Sequence, residues 1–257
     1  MEKQTSPLPA SGLTCLFRWN EVVLAARGIF VTKTITVSKN GPYIVSGSVP
    51  LAIQTIGVDR DGNSTEWVEG TAFASSPQYA LCRCAHSKTK PFCDGTHSKV
   101  GFDGTETASH APVAQQAKVL DGPTMQLLDA EVLCAFGRFC DPHGQVWNQV
   151  EKTDDERIRA QFISQVGNCP SGRLIAVDKQ TGEPVEPKFP QSIGVVEDPA
   201  KKCSGPLWVR GGIALIGADG QTYEIRNRMT LCRCGRSENK PFCSGAHAAV
   251  PKFKDKI

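Results

Sequence analysis

The chain has no long hydrophobic run, and this limits where the protein can work. Its best stretch, residues 12–31, is interrupted by Arg18, Glu21 and Arg27, whereas a membrane-spanning helix needs about 20 apolar residues. Residues 1–12 lack the basic and apolar regions of a secretory signal. We therefore expect a cytoplasmic protein, with an organelle as the alternative, and no association with a membrane.

A strong net charge is also missing. The 29 Lys and Arg residues against 26 Asp and Glu residues leave a formal charge of +3 over 257 residues. Proteins that bind nucleic acids normally concentrate positive charge on one surface, so no nucleic-acid partner is expected. The sequence has no phosphate-binding glycine loop, no Ser/His/Asp set and no flavin motif, and we therefore predict no enzymatic activity.

Cysteine, by contrast, is abundant. The chain has 11 Cys residues but only 5 His residues. Disulfide frameworks are typical of short secreted chains, and this chain is long and predicted to stay inside the cell. Because the cysteines cluster with histidine at short spacing, the sequence favours metal binding over disulfide formation.

Two segments repeat each other at an offset of 150 residues. Residues 81–97 read LCRCAHSKTKPFCDGTH, and residues 231–247 read LCRCGRSENKPFCSGAH. Upstream of them, residues 41–51 and 205–215 share the pattern GP-x-x-V. The sequence therefore contains a duplicated module. Alternating β-branched residues predict β-strands in it, at 34–37, 43–49, 207–215 and 222–229.

Each repeat offers three thiols and one imidazole at the spacing of a metal site. Such a set can bind one tetrahedral zinc ion, or a 2Fe–2S cluster with two ligands on each iron. Residue types alone leave both alternatives open. The candidate ligands are Cys82, Cys84, Cys93 and His97 in the first copy, and Cys232, Cys234, Cys243 and His247 in the second.

The pattern C-x-C-x2-S-x3-P-x-C-D-G-T-H at 82–97 resembles the signature of the CDGSH iron–sulfur (mitoNEET-like) family. The second copy follows the same pattern except at Ser244, where the signature has Asp. Asp94 and Ser244 are both expected to cap the short helix that carries the histidine. The resemblance implies a 2Fe–2S cluster in each copy. It also implies an internal pseudo-dimer of the two copies, and hence a monomer rather than an obligate dimer.

A different cysteine pattern lies between the two copies. Cys134 and Cys140 keep the outer positions of the ferredoxin run C-x2-C-x2-C, with Gly137 in the middle position. Cys169 precedes a proline, as in the ferredoxin C-P element. Residues 131–178 are thus similar to divergent single-cluster 4Fe–4S ferredoxin domains.

The resemblance leaves open which cluster this middle segment binds. Three cysteines suit a 3Fe–4S cluster, and a fourth ligand from Cys203 or His143 would permit a 4Fe–4S cluster. The alternative is a ferredoxin-like remnant with free thiols, or with a disulfide between Cys134 and Cys140.

The predicted fold class is α+β, mostly β, with a ferredoxin-like α+β insert between the two β-rich modules. A capping box at 153–156 predicts a helix that ends at Gly167, followed by a strand at 173–177. Pro- and Gly-containing bridges at 103–124 and 181–202 are predicted to be linkers or long surface loops. The predicted parts are an N-terminal extension (1–32), the first module (33–110), the ferredoxin-like segment (125–180) and the second module (190–257).

The predicted function is iron–sulfur chemistry, as electron transfer, as storage and transfer of clusters, or as both. A neutral histidine in place of a thiolate raises the reduction potential of a cluster and makes one iron bond sensitive to protons. The expected partner is a redox protein or an apo-protein that accepts a cluster. A zinc-stabilised interaction module is the first alternative, and a redox enzyme that uses the clusters is the second.

Overall fold

The computed structural model describes residues 32–74, 76–255 and 257, so the predicted N-terminal extension lies outside the described residues except for Thr32. None of the described helices has the length and hydropathy of a membrane span. The helices are α1 (Thr96–Lys99), α2 (Val113–Gln116), α3 (Val146–Gln149) and α4 (Glu156–Gly167). The strands are β1 (Thr34–Val37), β2 (Tyr43–Ser46), β3 (Leu51–Val58), β4 (Ser64–Ala72), β5 (Gln78–Leu81), β6 (Lys118–Asp121), β7 (Met125–Asp129), β8 (Leu174–Asp178), β9 (Ser192–Asp198), β10 (Cys203–Arg210), β11 (Ala214–Ile216) and β12 (Arg228–Leu231).

The two copies of the repeat exchange strands. One sheet has the order β11-β1-β2-β5, and the other has the order β12-β10-β9-β3-β4. In the first sheet β11 of the second copy pairs in parallel with β1, and in the other sheet β3 of the first copy pairs in parallel with β9. Because each copy completes the other's sheet, the internal pseudo-dimer predicted from the sequence is confirmed.

One apolar core joins these two sheets. Alternate residues of the strands point inward, so that Ile35 and Val45 of one sheet and Val195 and Leu207 of the other are almost fully buried. Burying a side chain of this kind contributes about 1.5–3 kcal/mol. Leu81 and Leu231, which end β5 and β12, are buried in the same core and anchor the start of each cysteine segment.

The hairpin β3–β4 is longer than its counterpart in the second copy. Its outer strand β4 is the fifth strand of its sheet and has no equivalent in the four-stranded sheet. Trp67 of β4 packs on Phe139 of the middle segment, with ring centroids 4.9 Å apart. The Trp67 indole N–H also donates a hydrogen bond to the Asn168 carbonyl at 3.2 Å. This insertion therefore attaches the middle segment to the paired sheets.

The prediction of a linker over 181–202 is wrong, because β9 lies there at the centre of its sheet. Neighbouring strands on both sides and packing on both faces bury almost the whole strand, so its apolar residues form a run instead of alternating. The bridge at 103–124 also contains ordered elements, α2 and β6. The predicted strand at 222–229 is shorter than expected, since β12 begins only at Arg228.

The middle segment forms a separate three-stranded sheet, β6-β7-β8, with α4 packed against it. Its helix begins at Glu156, but Asp155 rather than Thr153 is the N-cap residue. The Asp155 carboxylate accepts the backbone N–H groups of Arg157 and Ile158 at 2.8 and 3.1 Å. Thr153 is buried and donates its hydroxyl to the Val150 carbonyl instead.

Candidate metal centres

In the first copy, backbone hydrogen bonds bring the two halves of the ligand set together. The Cys82 N–H donates to the Pro91 carbonyl, and the Cys93 N–H donates to the Ala80 carbonyl, both at 2.9 Å. The Cys82 and Cys84 sulfurs then lie 3.7 Å apart. The Cys93 sulfur lies 3.3 Å from Nδ1 of His97. The four predicted ligands therefore form two close pairs.

The second copy repeats this geometry almost atom for atom. The Cys232 N–H donates to the Pro241 carbonyl, and the Cys243 N–H donates to Thr230. The Cys232 and Cys234 sulfurs are 3.8 Å apart, and the Cys243 sulfur is 3.4 Å from Nδ1 of His247. In both copies, Nδ1 is thus the histidine nitrogen that faces the neighbouring thiol.

The distances within the pairs are those of two ligands on one metal ion. A tetrahedral metal with bonds of about 2.3 Å to sulfur holds two thiolates about 3.8 Å apart, as observed within the cysteine pairs. A single ion would need all four donors around one point. Among the described residues, no three Cys, His, Asp or Glu side chains converge in that way. Two ligands on each of two irons is the arrangement of a 2Fe–2S cluster.

The short helix that carries each histidine starts at a glycine in the left-handed region, Gly95 with φ of 83° and Gly245 with φ of 77°. The N-cap is therefore this glycine and not the preceding residue as predicted. The Asp94 carboxylate nevertheless accepts the N–H groups of Lys88 and Thr96, and these hydrogen bonds hold its pKa well below the ordinary value. Among the described residues, no comparable hydrogen bond reaches Ser244.

The two CDGSH sites lie side by side. Cys84 and Cys234 form an antiparallel β-bridge, which joins one ligand of each site through the backbone. Residues Ala85 and Gly235, which follow them, both adopt positive φ. A Cβ atom at Gly235 would lie 3.3 Å from the Cys84 carbonyl oxygen, so the glycine lets the two ligand segments approach closely.

The two sites differ in exposure. Cys93 and His97 are half-buried, whereas His247 is 3% exposed and Cys243 is 2% exposed. The C-terminal residues cover the second site. Phe253 packs on Cys232 and Cys234, and its N–H donates to the His247 carbonyl at 2.9 Å.

Burial also shifts the acid–base properties of the second site. Burial, with a smaller contribution from the nearby charge of Arg233, lowers the pKa of His247 to about 4. Burial raises the pKa of the Cys243 thiol to about 12, and in the first copy it raises the pKa of Cys84 to about 11. Thiols with such pKa values are protonated at neutral pH, so a metal that binds them as thiolates must release protons.

The three middle cysteines line one pocket between residues 134–140 and 169–174. Burial raises the pKa of the Cys140 thiol well above its ordinary value, and the neighbouring charges of Asp141, Cys169 and Cys134 add to the rise. Cys134, Cys140 and Cys169 therefore border the same pocket.

The loop between Cys134 and Cys140 has an unusual backbone. Phe136 and Arg138 both adopt left-handed conformations, with φ of 56° and 63°, on either side of Gly137. Two non-glycine residues of this type within one short loop store strain, and such strain is concentrated at ligand-binding loops. A Cβ at Gly137 would lie 3.0 Å from the Pro170 ring, so Gly in the middle position of the ferredoxin run allows the loop to pack beside Cys169.

A positive charge also faces this pocket. Arg173 lines it and donates from Nε and Nη2 to the Asp129 carboxylate at 2.5 and 2.8 Å. These hydrogen bonds raise the pKa of Arg173, and the adjacent Cys134 thiolate adds to the rise. A fixed guanidinium beside thiolates offsets part of the negative charge that a bound cluster would bring.

Neither of the two suggested fourth ligands lines this pocket. Cys203 is buried at the edge of a different pocket, with Thr55 and Lys254. His143 is exposed. All the cysteines in the described residues are free, so the alternative disulfide between Cys134 and Cys140 is not formed.

Comparison with known protein families agrees with this geometry. Residues 40–98 and 204–248 match the iron-binding zinc finger of CDGSH type, and residues 120–179 match the divergent 4Fe–4S mono-cluster family. Searches of curated proteins and of solved structures gave no match. The matches support iron–sulfur cluster binding in all three parts of the molecule. Within that class, the chain carries two CDGSH segments with a divergent 4Fe–4S segment between them, which confirms the resemblance inferred from the sequence.

The sequence analysis missed several residues that hold the sites in place. Arg83 and Arg233, between the paired cysteines, are both 2% exposed and donate to backbone carbonyls of their own copy. Tyr43 is fully buried, and its hydroxyl contacts the Cys232 and Pro241 carbonyls of the second copy at 2.9 Å each. The arginine could have been noticed, because C-R-C occurs in both repeats. Nothing in the sequence indicated that Tyr43 reaches the other copy.

Proposed function

We propose that the protein is an electron carrier with two 2Fe–2S centres and a third, cubane-type centre. The observation that carries the proposal is the arrangement of each CDGSH ligand set as two pairs, with sulfur–sulfur distances of 3.7 and 3.8 Å. Bound there, an iron–sulfur cluster supplies a site that gains and loses one electron at a time. The chain's own residues hold it, neutralise part of its charge and limit the access of water.

The third centre would be held by Cys134, Cys140 and Cys169. These three thiols fit a 4Fe–4S cluster that has one iron without a cysteine ligand, or a 3Fe–4S cluster that has no fourth iron. The match to the 4Fe–4S mono-cluster family favours the first of these. Arg173 lies in position to compensate the charge of either cluster.

Burial favours electron transfer over cluster transfer for most of the molecule. An acceptor protein must reach the ligands to remove a cluster, and the second site is closed by Phe253 and by Arg233, which is itself 2% exposed. Electrons need no such opening. We propose no catalysed substrate reaction, and we propose a one-electron redox protein as the partner.

Release of a cluster from the first site is a second candidate function. The half-buried Cys93 and His97 favour it, because solvent and an acceptor can approach this pair of ligands. It would operate beside electron transfer and involve the first site alone.

Iron and acid-labile sulfide per chain test the proposal directly. Two 2Fe–2S centres contribute about four irons, and a 4Fe–4S centre about four more. The double variant Cys134→Ala with Cys169→Ala should lose the additional irons and keep the visible spectrum of the other two centres. A wild-type protein prepared and reconstituted without oxygen that holds only about four irons would contradict the third centre. A colourless protein that contains zinc would contradict all three.

A further inference from the structure

The middle segment contacts the second CDGSH ligand loop at Gly245, a residue whose equivalent in the first loop has open space around it. A Cβ placed on Gly245 would lie 3.3 Å from the Cys134 carbonyl oxygen and 3.7 Å from Cβ of Phe136. A Cβ placed on Gly95, the equivalent residue of the first copy, would have no neighbour within 4 Å. Both glycines have nearly the same φ, so the difference comes from the middle segment and not from the local backbone.

A side-chain hydrogen bond strengthens this contact. Asn239 in the second ligand loop is 8% exposed and donates from Nδ2 to the Val132 carbonyl at 3.2 Å, just before Cys134. Thr89 occupies the equivalent position in the first copy and is exposed. The backbone around the two residues is the same, since both N–H groups donate to the serine hydroxyl two positions earlier, at 3.1 Å. At this position, the ligand loop of the second copy therefore fastens the middle segment, and the exposed Thr89 of the first loop does not.

The other side of the second site touches the first site. The β-bridge between Cys84 and Cys234 puts the two CxC segments next to each other. On its opposite side, the second ligand loop meets the segment that carries Cys134, through Gly245 and Asn239. The three sites thus follow one another in space as middle, second and first.

From this order we infer that the second CDGSH site is an internal relay between the middle centre and the first CDGSH site. The inference rests on the proposed function. His247 and Cys243 are buried, so an external redox protein cannot approach the second site closely. The two ends are open, because Cys93 and His97 at one end and Cys134 and Cys140 at the other are half-buried.

The relay moves electrons only. A one-electron donor that meets one end is oxidised by one electron, and a one-electron acceptor at the other end is reduced by one electron. No bond to a substrate forms or breaks. The donor and the acceptor are therefore small one-electron carrier proteins, which require no pocket for a substrate.

Electron paramagnetic resonance of the intact protein reduced with dithionite tests this order, because neighbouring paramagnetic centres speed up each other's relaxation. Removal of the second cluster, by Cys232→Ala with Cys243→Ala, should abolish the fast relaxation of the middle centre. The matched control, Cys82→Ala with Cys93→Ala, removes the first cluster and should leave the middle centre unchanged. If the buried double variant fails to fold, the single variants His247→Cys and His97→Cys replace it. Each keeps its cluster but shifts the signal of that cluster, so the shifted signal shows which cluster is coupled to the middle centre.

Each outcome decides the inference. Coupling of the middle centre to the second cluster alone supports the relay. Coupling to the first cluster, or to neither, overturns the relay and leaves the proposed electron carrier intact. An iron content that lacks the third centre overturns the third centre and the relay together, so the iron count separates the two kinds of failure.

Discussion

The two CDGSH copies hold their ligands in the same way but surround them differently. Sulfur–sulfur and sulfur–nitrogen distances agree to within 0.1 Å between the copies, at 3.7 and 3.3 Å against 3.8 and 3.4 Å. The histidine is half-buried in the first copy and 3% exposed in the second. The signature therefore determines the ligand geometry, while residues outside it determine the access of solvent and partners.

Three contacts produce the difference in surroundings. Tyr43 of the first copy hydrogen-bonds the second ligand loop, whereas Leu207 at the equivalent position of the second copy has no hydroxyl to offer in return. Phe253 and Asp255 close the second site from the C-terminal side. The buried Asp255 carboxylate pairs with Arg233 of the second copy and with Lys90 of the first.

Removing the Phe253 ring should have the largest effect on this comparison. Phe253→Ala takes away a nearly buried ring that packs on Cys232 and Cys234, at a cost of about 3 kcal/mol or more. We expect the second cluster to be lost to a chelator at least about tenfold faster, as followed by its visible absorbance. Phe102→Ala is the matched control, because the Phe102 N–H donates to the His97 carbonyl in the same way while its ring is only half-buried. Equal acceleration in both variants would contradict the role of the C-terminal cover.

The second largest effect should come from acid, which we expect to remove the two clusters at different rates. Protonation of a histidine ligand breaks its bond to iron, and burial lowers the pKa of His247 to about 4 from the ordinary value of about 6.5. Because burial disfavours the imidazolium, the neutral form that binds iron persists to lower pH at the second site. His97 is half-buried and open to solvent, so near pH 5 absorbance should decay in two phases, with the first cluster lost faster. His97→Cys should slow the fast phase, and His247→Cys should leave it unchanged.

A similar acid stability of the wild type and the His97→Cys variant would show that histidine is not the ligand that fails first. Insertion of a cluster at the second site should also depend on pH. Burial raises the pKa of Cys243 to about 12, so cluster insertion at the second site releases protons and is favoured as the pH rises.

The hydroxyl of Tyr43 should have a smaller effect, restricted to the second site. Tyr43→Phe removes the hydroxyl from the Cys232 carbonyl and leaves the Pro241 carbonyl with the Cys232 N–H alone, at a cost of about 1–2 kcal/mol. Thermal unfolding should shift down, and the second cluster should be lost severalfold faster while the first is unaffected. Tyr79→Phe is the control, because the Tyr79 hydroxyl donates to the Val49 carbonyl of its own copy. An effect of Tyr43→Phe on the first cluster would show that the bond supports the whole fold and not one site.

The ligands could be predicted because they are close in sequence. The ligands of the first copy lie within sixteen residues of each other, at Cys82, Cys84, Cys93 and His97. The second copy has the same spacing. The strands next to them alternate apolar and polar residues, which indicates one buried face. The sequence pattern was sufficient for the ligands and these strands, because both depend on residues that are close together in the chain.

The remaining features depend on partners distant in sequence. The central strand Ser192–Asp198 does not alternate, since it is buried on both faces, and its flanking prolines and glycines suggested a loop. Its parallel pairing with Leu51–Val58 joins residues about 140 positions apart, and no local pattern encodes that choice. Phe253 and Asp255 belong to no motif of the sequence, and only the fold places them beside Arg233 and Lys90.

The difference between Asp94 and Ser244 should have the smallest effect. It should change the reduction potentials of the two CDGSH centres and not the rates at which their clusters are lost. Asp94 adds a negative charge beside the first cluster, and negative charge disfavours the reduced form. Ser244→Asp should therefore lower the reduction potential of the second centre, by at most about 40 mV if the screened charge contributes less than about 1 kcal/mol. The reciprocal variant Asp94→Ser should raise the potential of the first centre. A redox titration that uses the unaltered cluster of each variant as internal reference measures both shifts. A rise for Ser244→Asp, or shifts of the same sign in the two variants, would show that altered hydrogen bonds to the ligand loop outweigh the charge.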